Sequence, residues 1–217
     1  STVYYDGPYS SGEKEFRNWW GSDYKGYHTI RDGITYSMNI VALRCMADTV
    51  TPQLGVEYAE RLGITSLVSQ DQTLSTALGG LTKGVSNLEL TNAFAAIANG
   101  GTLMKPYMID HVENVGGQTV KKFLPSAYGT LMSANDAQFL THLMSQVVEI
   151  GTGSAMRGAS YTVAGKTGSA EFEAGKETHS WFVGFAPADK PKVAICVLAE
   201  ESGSGGAVAA PIARQVL

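Results

Sequence analysis

The sequence predicts an α+β fold: an antiparallel sheet covered by helices, with a mainly helical part ahead of it. Three observations predict it. From residue 29 the first half of the chain is filled by segments of helical period. Near the end, three segments that read as strands, at 161–171, 179–186 and 192–199, follow one another, the last two joined by the short loop Pro187–Pro191. Consecutive strands with short connections have to be antiparallel. An Ala- and Val-rich stretch from Gly206 to Leu217 then reads as a closing helix that covers one face of these strands. Helices grouped apart from an antiparallel sheet give a layered α+β domain.

Taken in order, residues 1–28 are rich in Gly, Ser, Tyr and charge and read as an irregular N-terminal arm; 29–217 read as the domain proper. Thr29 and Asp32 announce a short helix to Tyr36, with Asp in the capping-box position. Ser37-Met38-Asn39 reads as a turn, its polar side chains satisfying nearby backbone, before a second helix from Ile40 to about Asp48. Pro52 opens a third helix at its first position, and Gly63 closes it. Residues 64–85 are mixed. Ser86 and Glu89 form a second capping box, with Leu90, Ala93, Phe94 and Ile97 at helical spacing and a stop at Asn99-Gly100-Gly101. Alternation over 103–112 and 118–123, with Asn114–Gly117 between, predicts a β-hairpin. Ser133 and Asp136 start a helix to about Glu149 with Phe139, Leu140, Leu143 and Val147 on its apolar face.

The 217 residues are 44% hydrophobic and 17% charged, which suits one compact domain, alone or with a small appendage. The net charge of −4 is spread without a basic block, so nucleic acid is not an expected partner. No apolar run approaches the roughly 20 residues of a membrane span. The chain begins at Ser1 without a signal peptide and reads as a piece of something longer. Cys45 and Cys196 sit in apolar segments and read as small buried hydrophobes. His28, His111, His142 and His179 do not cluster, so a metal site is not expected; no cofactor is expected either. Trp181, Phe182 and Phe185 read as core or cleft wall, and His179 begins a strand beside the candidate site.

That site centres on Tyr161–Glu171. A strand here carries Lys166, Thr167 and Ser169 along an edge, and Gly165 and Gly168 bracket the Lys-Thr pair. A glycine in a strand marks a bulge or the close approach of a ligand or another backbone; a lysine there also serves simply to solvate an edge. Gly165-Lys166-Thr167 resembles the tail of a phosphate loop, but Ser160 stands where that motif needs glycine and no helix follows. The second polar cluster is Ser37 with Asn39. Neither cluster is specific alone. Their order is, because Ser-x-Asn and Lys-Thr-Gly are two of three elements, with S-x-x-K, of penicillin-recognising serine enzymes.

Together with Ala77–Ser86 and 90–101, Gly151-Thr152-Gly153 and Trp181–Pro187, these motifs stand in one order over about residues 27–200. The sequence thereby resembles the transpeptidase domain of penicillin-binding proteins, and more narrowly the bifunctional class A type that also carries a glycosyltransferase domain; the 77–101 stretch favours that class over β-lactamases. The resemblance implies a β-lactamase/transpeptidase-like fold. It also implies peptidoglycan D,D-transpeptidase activity through a serine acyl-enzyme, with stem peptides ending in D-Ala-D-Ala and β-lactam antibiotics as partners. It further implies a place at the extracytoplasmic face of the bacterial membrane, held by a segment outside this chain. By the same resemblance Ser37 relays a proton to the leaving amine, Asn39 donates to the substrate amide carbonyl, and Lys166 supplies positive potential. Thr167 supports, Gly168 lets the substrate backbone lie against the strand, and Ser169 binds the carboxylate and gives half of an oxyanion hole.

One element departs from the pattern. Ser11-Gly-Glu-Lys14 and Ser22-Asp-Tyr-Lys25 match S-x-x-K literally, but each lies in polar surroundings with no apolar stripe. The lysine of that motif has to be desolvated to act as a base. The nucleophile is therefore expected on a preceding segment or a separate chain. Three readings stand: a transpeptidase, a D,D-carboxypeptidase or β-lactamase using water as acceptor, and a non-catalytic penicillin sensor.

Overall fold

The computed structural model describes residues 2–217. Four short strands, β1 (Val3–Asp6), β2 (Tyr9–Ser11), β3 (Lys14–Phe16) and β4 (Gly26–Thr29), occupy the stretch expected to be irregular. β1 pairs with β4, and β2 with β3. The β1–β4 pairing joins segments about twenty residues apart, which local composition does not report. The strands also contribute to the core: Tyr4 packs with Met38 and Val41, and Phe16 with Ile40 and Leu43.

Helix α1 (Ile30–Thr35) begins at the Thr29–Asp32 capping box, with both reciprocal bonds formed. α2 (Asn39–Cys45) runs into a π-turn at Met46–Val50. α3 (Pro52–Arg61) has Pro at its first position and the Thr51 side chain as cap. Two 3-10 turns at Ser69–Asp71 and Leu74–Leu78 follow, organised by buried Asp71, which accepts from Val68 N, Thr82 N and Thr82 Oγ1. α4 (Asn87–Ala98) starts at the Ser86–Glu89 box.

The expected 103–112/118–123 hairpin is only partly formed. β5 (Thr102–Met104) pairs instead with β8 (Ala127–Thr130), while β6 (His111–Glu113) and β7 (Thr119–Lys122) make the hairpin. Pro106, which has no N–H to give a ladder, separates the two pairings. α5 (Ala134–Glu149) buries Ala137, Leu143, Met144, Val147 and Val148. Phe139, expected on that face, is 53% exposed, because the buried stripe runs through Ala137 and Met144 on the other side.

The main sheet has the order β11-β10-β9, with β9 (Ala164–Ala170), β10 (His179–Ala186) and β11 (Val193–Ala199) all antiparallel. β9 starts later than position 161 because Thr162 turns aside: its Oγ1 bonds Asp189 and Ala188 N. The outer sides of β9 and β11 are unpaired among the described residues. α6 (Ala209–Val216) covers one face, packing Ala209, Ala210 and Ala213 on Phe182 and Ala186. α4 and α5 cover the other, where Met144, Phe94 and Ile97 meet Phe185 and Ala164. No described helix is long and apolar enough to cross a membrane.

Candidate active site

The site begins at the corner between α1 and α2. Ser37 takes φ 55°, a left-handed conformation that a residue with a Cβ adopts only under constraint. The sequence suggests that Ser37 and Asn39 satisfy local backbone; in the structure neither does. α2 has no side-chain cap of its own. Three consecutive residues of the N-terminal segment serve the corner instead. Arg17 O accepts from Asn39 Nδ2 at 2.9 Å, Asn18 Oδ1 accepts from Ile40 N at 3.2 Å, and Trp19 Nε1 donates to Tyr36 O at 3.0 Å. Asn18 is itself fixed by buried Asp6 through a 2.8 Å bond. Orphan groups at two helix ends are thus met from a distance, and the Ser37 hydroxyl is left free for a tertiary partner.

That partner is Lys166. Its ammonium donates to Ser37 Oγ at 2.8 Å and to Thr167 O at 3.0 Å. Burial pushes the Lys166 pKa down to about 8, because a desolvated ammonium is costly. In a pleat, alternate residues face opposite ways. Lys166 therefore projects from one face of β9 toward α1 and α2, while Thr167 and Ser169 belong to the other. Thr167 is 8% exposed, and its hydroxyl lies 2.6 Å from Thr152 Oγ1. Ser169 is exposed, and its Oγ accepts from Gly205 N at 3.3 Å.

The two glycines of β9 differ. At Gly165 a Cβ would stand 2.6 Å from Phe182 Cζ and 2.8 Å from Val183 O. This glycine answers to internal packing, not to a ligand. At Gly168 a Cβ would meet only Trp181 Cβ, at 3.4 Å, so the protein itself does not demand glycine there.

The Gly151-Thr152-Gly153 stretch after α5 joins the two halves. Thr152 N donates to Thr35 O at 3.3 Å, and a Cβ on Gly151 would stand 2.0 Å from that same carbonyl. Gly206 approaches from the far side, where a Cβ would stand 2.6 Å from Thr152 O. Sequence reasoning missed Thr152 and the 17–19 segment as parts of the site. The Gly-Thr-Gly spacing was the one available signal, since flanking glycines mark close backbone approach.

All of residues 1–217 match the penicillin binding protein transpeptidase domain. The chain belongs to that family. It is 32% identical over 190 residues to penicillin-binding protein 1F of Bacillus subtilis, covering 83% of this chain and 26% of that protein. It is 31% identical over 190 residues to the peptidoglycan D,D-transpeptidase PbpA of Mycolicibacterium smegmatis, covering 78% and 36%. Among solved structures it resembles the D,D-transpeptidase domain of a peptidoglycan glycosyltransferase from Eggerthella lenta, with a TM-score of 0.86, 26% identity, and coverage of 99% of this chain and 58% of that one. The ceftriaxone acyl-enzyme complex of penicillin-binding protein A from Mycobacterium tuberculosis shares the fold, at a TM-score of 0.89 and 24% identity. The chain therefore spans about a quarter to a third of these curated relatives and just over half of the solved domain.

Within this penicillin-binding protein domain, neither literal S-x-x-K fragment has the setting of a nucleophile. Ser11 and Lys14 face each other across the β2–β3 hairpin, both exposed, with Lys14 Nζ bonded to Ser75. Lys25 is exposed and paired with Asp23. His179 lies opposite Ala170, stacks on Phe172 at 4.1 Å between centroids, and accepts from Glu201 N through Nδ1. Two cavities, of about 700 and 490 Å³, are lined by neither Ser37 nor residues 166–169.

Proposed function

We propose that this chain is the C-terminal part of a peptidoglycan D,D-transpeptidase whose nucleophilic serine lies in an upstream segment or separate chain. The observation that carries the reading is the 2.8 Å contact between Lys166 Nζ and Ser37 Oγ beside an unpaired strand edge. The family relatives named above support the reaction class.

In this reading the stem peptide lies along the open side of β9. The upstream serine attacks the carbonyl of the D-Ala-D-Ala bond, an acyl-oxygen bond forms, and the bond to the terminal D-Ala breaks. The proton of the attacking serine, taken up by the lysine of its S-x-x-K segment, is relayed through Ser37 to the leaving amine. An amine of a second stem peptide then attacks the acyl-enzyme and releases the serine. Lys166 is mostly protonated at neutral pH and attracts the substrate carboxylate while orienting the Ser37 hydroxyl. Asn39 gives one amide N–H to Arg17 O and has a second for the substrate carbonyl. Thr167 backs the strand, Gly168 leaves room for the substrate backbone, and Ser169 offers a hydroxyl to the carboxylate. Its backbone N–H supplies half of the oxyanion hole, worth on the order of 3 kcal/mol. The domain works outside the cytoplasm, where peptidoglycan is.

The test is covalent labelling of the full-length parent with fluorescent penicillin, followed by peptide mapping. Label on a serine upstream of Ser1 is expected. A parent that takes up no label on any serine would sink the reading. Turnover of stem peptide with and without an acceptor amine then distinguishes a transpeptidase from a carboxypeptidase.

A further inference from the structure

Three hydrogen bonds and two short runs of chain close a ring around the site. Lys166 Nζ donates to Ser37 Oγ at 2.8 Å. Two residues before Ser37, the Thr35 carbonyl accepts from Thr152 N at 3.3 Å. Thr152 Oγ1 lies 2.6 Å from Thr167 Oγ1, and Thr167 is the chain neighbour of Lys166. Thr152 touches both sides of the ring, through its backbone toward α1 and through its side chain toward β9.

We propose that Thr152 is a positioning residue that sets the Ser37–Lys166 separation, and this rests on the transpeptidase reading only for its effect on rate. Three observations support the assignment. β9 is an edge strand in the described sheet, with β10 on one side only. β10 holds it along one side and α5 packs on one face, so what meets its other face helps to fix where Lys166 stands. Thr167 is on that other face, buried, and its hydroxyl reaches Thr152. The Thr152 backbone is in turn closely flanked: the Thr35 carbonyl occupies the space a side chain on Gly151 would need, and the Thr152 carbonyl occupies that of Gly206. A hydroxyl mounted on so confined a backbone is a fixed reference point for β9. Rotamer freedom at Thr152 is also small, since a β-branched side chain is stiff at χ1.

The test uses the full-length protein and three variants. Thr152→Val keeps the shape and removes the hydroxyl; Thr152→Ser keeps the hydroxyl; Thr167→Val removes the same bond from the other side. Penicillin acylation should slow on the order of 10- to 100-fold in Thr152→Val, as expected for a misplacement near 1 Å. It should recover to within about twofold in Thr152→Ser, and the Thr152→Val, Thr167→Val double variant should be no slower than the slower single one, because both remove one interaction. Crystal structures of the same proteins should show Ser37 Oγ and Lys166 Nζ beyond hydrogen-bonding range only where the bond is gone. A wild-type separation or wild-type rate in Thr152→Val overturns the proposal, and so does a Thr152→Ser protein as slow as Thr152→Val. If Thr152→Val fails to fold, Thr167→Val decides by the same two readouts. A wild-type parent that does not acylate refutes the transpeptidase reading instead, and the separation in the crystal structures still decides the role of Thr152.

Discussion

Lys166 and Ser37 are 129 positions apart in the chain and 2.8 Å apart in the fold. The contact places an ammonium with a pKa pushed down by burial to about 8 against a hydroxyl held in a left-handed turn. Because the folded protein holds fewer protons than the unfolded chain between about pH 8 and the ordinary lysine value, stability rises with pH through that window. Below it the cost of the buried charge is fully present. Lys166→Met should abolish this rise, changing the stability gap between wild type and variant by as much as about 3 kcal/mol. Urea denaturation of both proteins from pH 7 to 10 checks it; parallel curves would contradict the burial argument.

Ser37 allows backbone strain to be separated from side-chain chemistry. Ser37→Ala loses the acceptor for Lys166 and keeps a Cβ at φ 55°. Ser37→Gly loses the same acceptor and relieves the turn. The Gly protein should be the more stable of the two by about 1 kcal/mol, while both acylate poorly. Thermal unfolding of the pair measures the difference, and an Ala protein as stable as the Gly protein would mean that the turn is unstrained.

The two glycines of β9 should respond oppositely to alanine. Gly165→Ala drives a Cβ to 2.6 Å from the Phe182 ring and 2.8 Å from a carbonyl. Overpacking of this kind costs about 1–3 kcal/mol, and the variant should be destabilised accordingly. Gly168→Ala meets only an ordinary contact at 3.4 Å, so it should melt like wild type yet bind β-lactam poorly, its new methyl lying where the ligand backbone is placed. Paired melting curves and penicillin uptake distinguish the two cases.

Glu89 holds four groups at once: Thr65 N and Oγ1 at 2.8 and 2.6 Å, and Ser86 N and Oγ at 3.1 and 2.8 Å. These bonds, the Thr65 hydroxyl first, lower its pKa to about 2. Its stabilisation is complete above the ordinary glutamate pKa and is lost as pH falls toward 2. Glu89→Gln should cost about 1 kcal/mol at neutral pH, allowing for solvent screening, and should flatten the acid limb of the stability profile. Equal acid sensitivity in both proteins would contradict this.

Local chemistry was readable in the sequence. Thr29 with Asp32, Ser86 with Glu89, and Pro52 all act within four residues of themselves, and the structure uses each as read. The antiparallel order of the last three strands followed from their short connections. Distant pairings were not readable. Nothing in Arg17-Asn18-Trp19 says that the three will serve a corner some twenty residues on, because the bonds run through a backbone carbonyl, an amide and an indole that suit any loop. The pairing of the Thr152 and Thr167 hydroxyls is equally silent: the glycines around Thr152 mark a tight turn but not its partner, and Thr167, in a strand, has an ordinary reason to be there. Gly165 left its meaning open for a related reason: glycine reports crowding but not whether the neighbour is a ligand or, as here, the Val183 backbone and Phe182.

Among the described residues the sheet ends at β11, whose outer side is unpaired there and whose residues, Val193–Ala199, include no charge. Such a border is a template for further strands. In isolation and at high concentration this chain should therefore self-associate side by side through β11. Cys196 lies in that strand, but burial raises its thiol pKa to about 11, so little reactive thiolate forms near neutrality. The resulting oligomers should dissolve in denaturant and be indifferent to reducing agent.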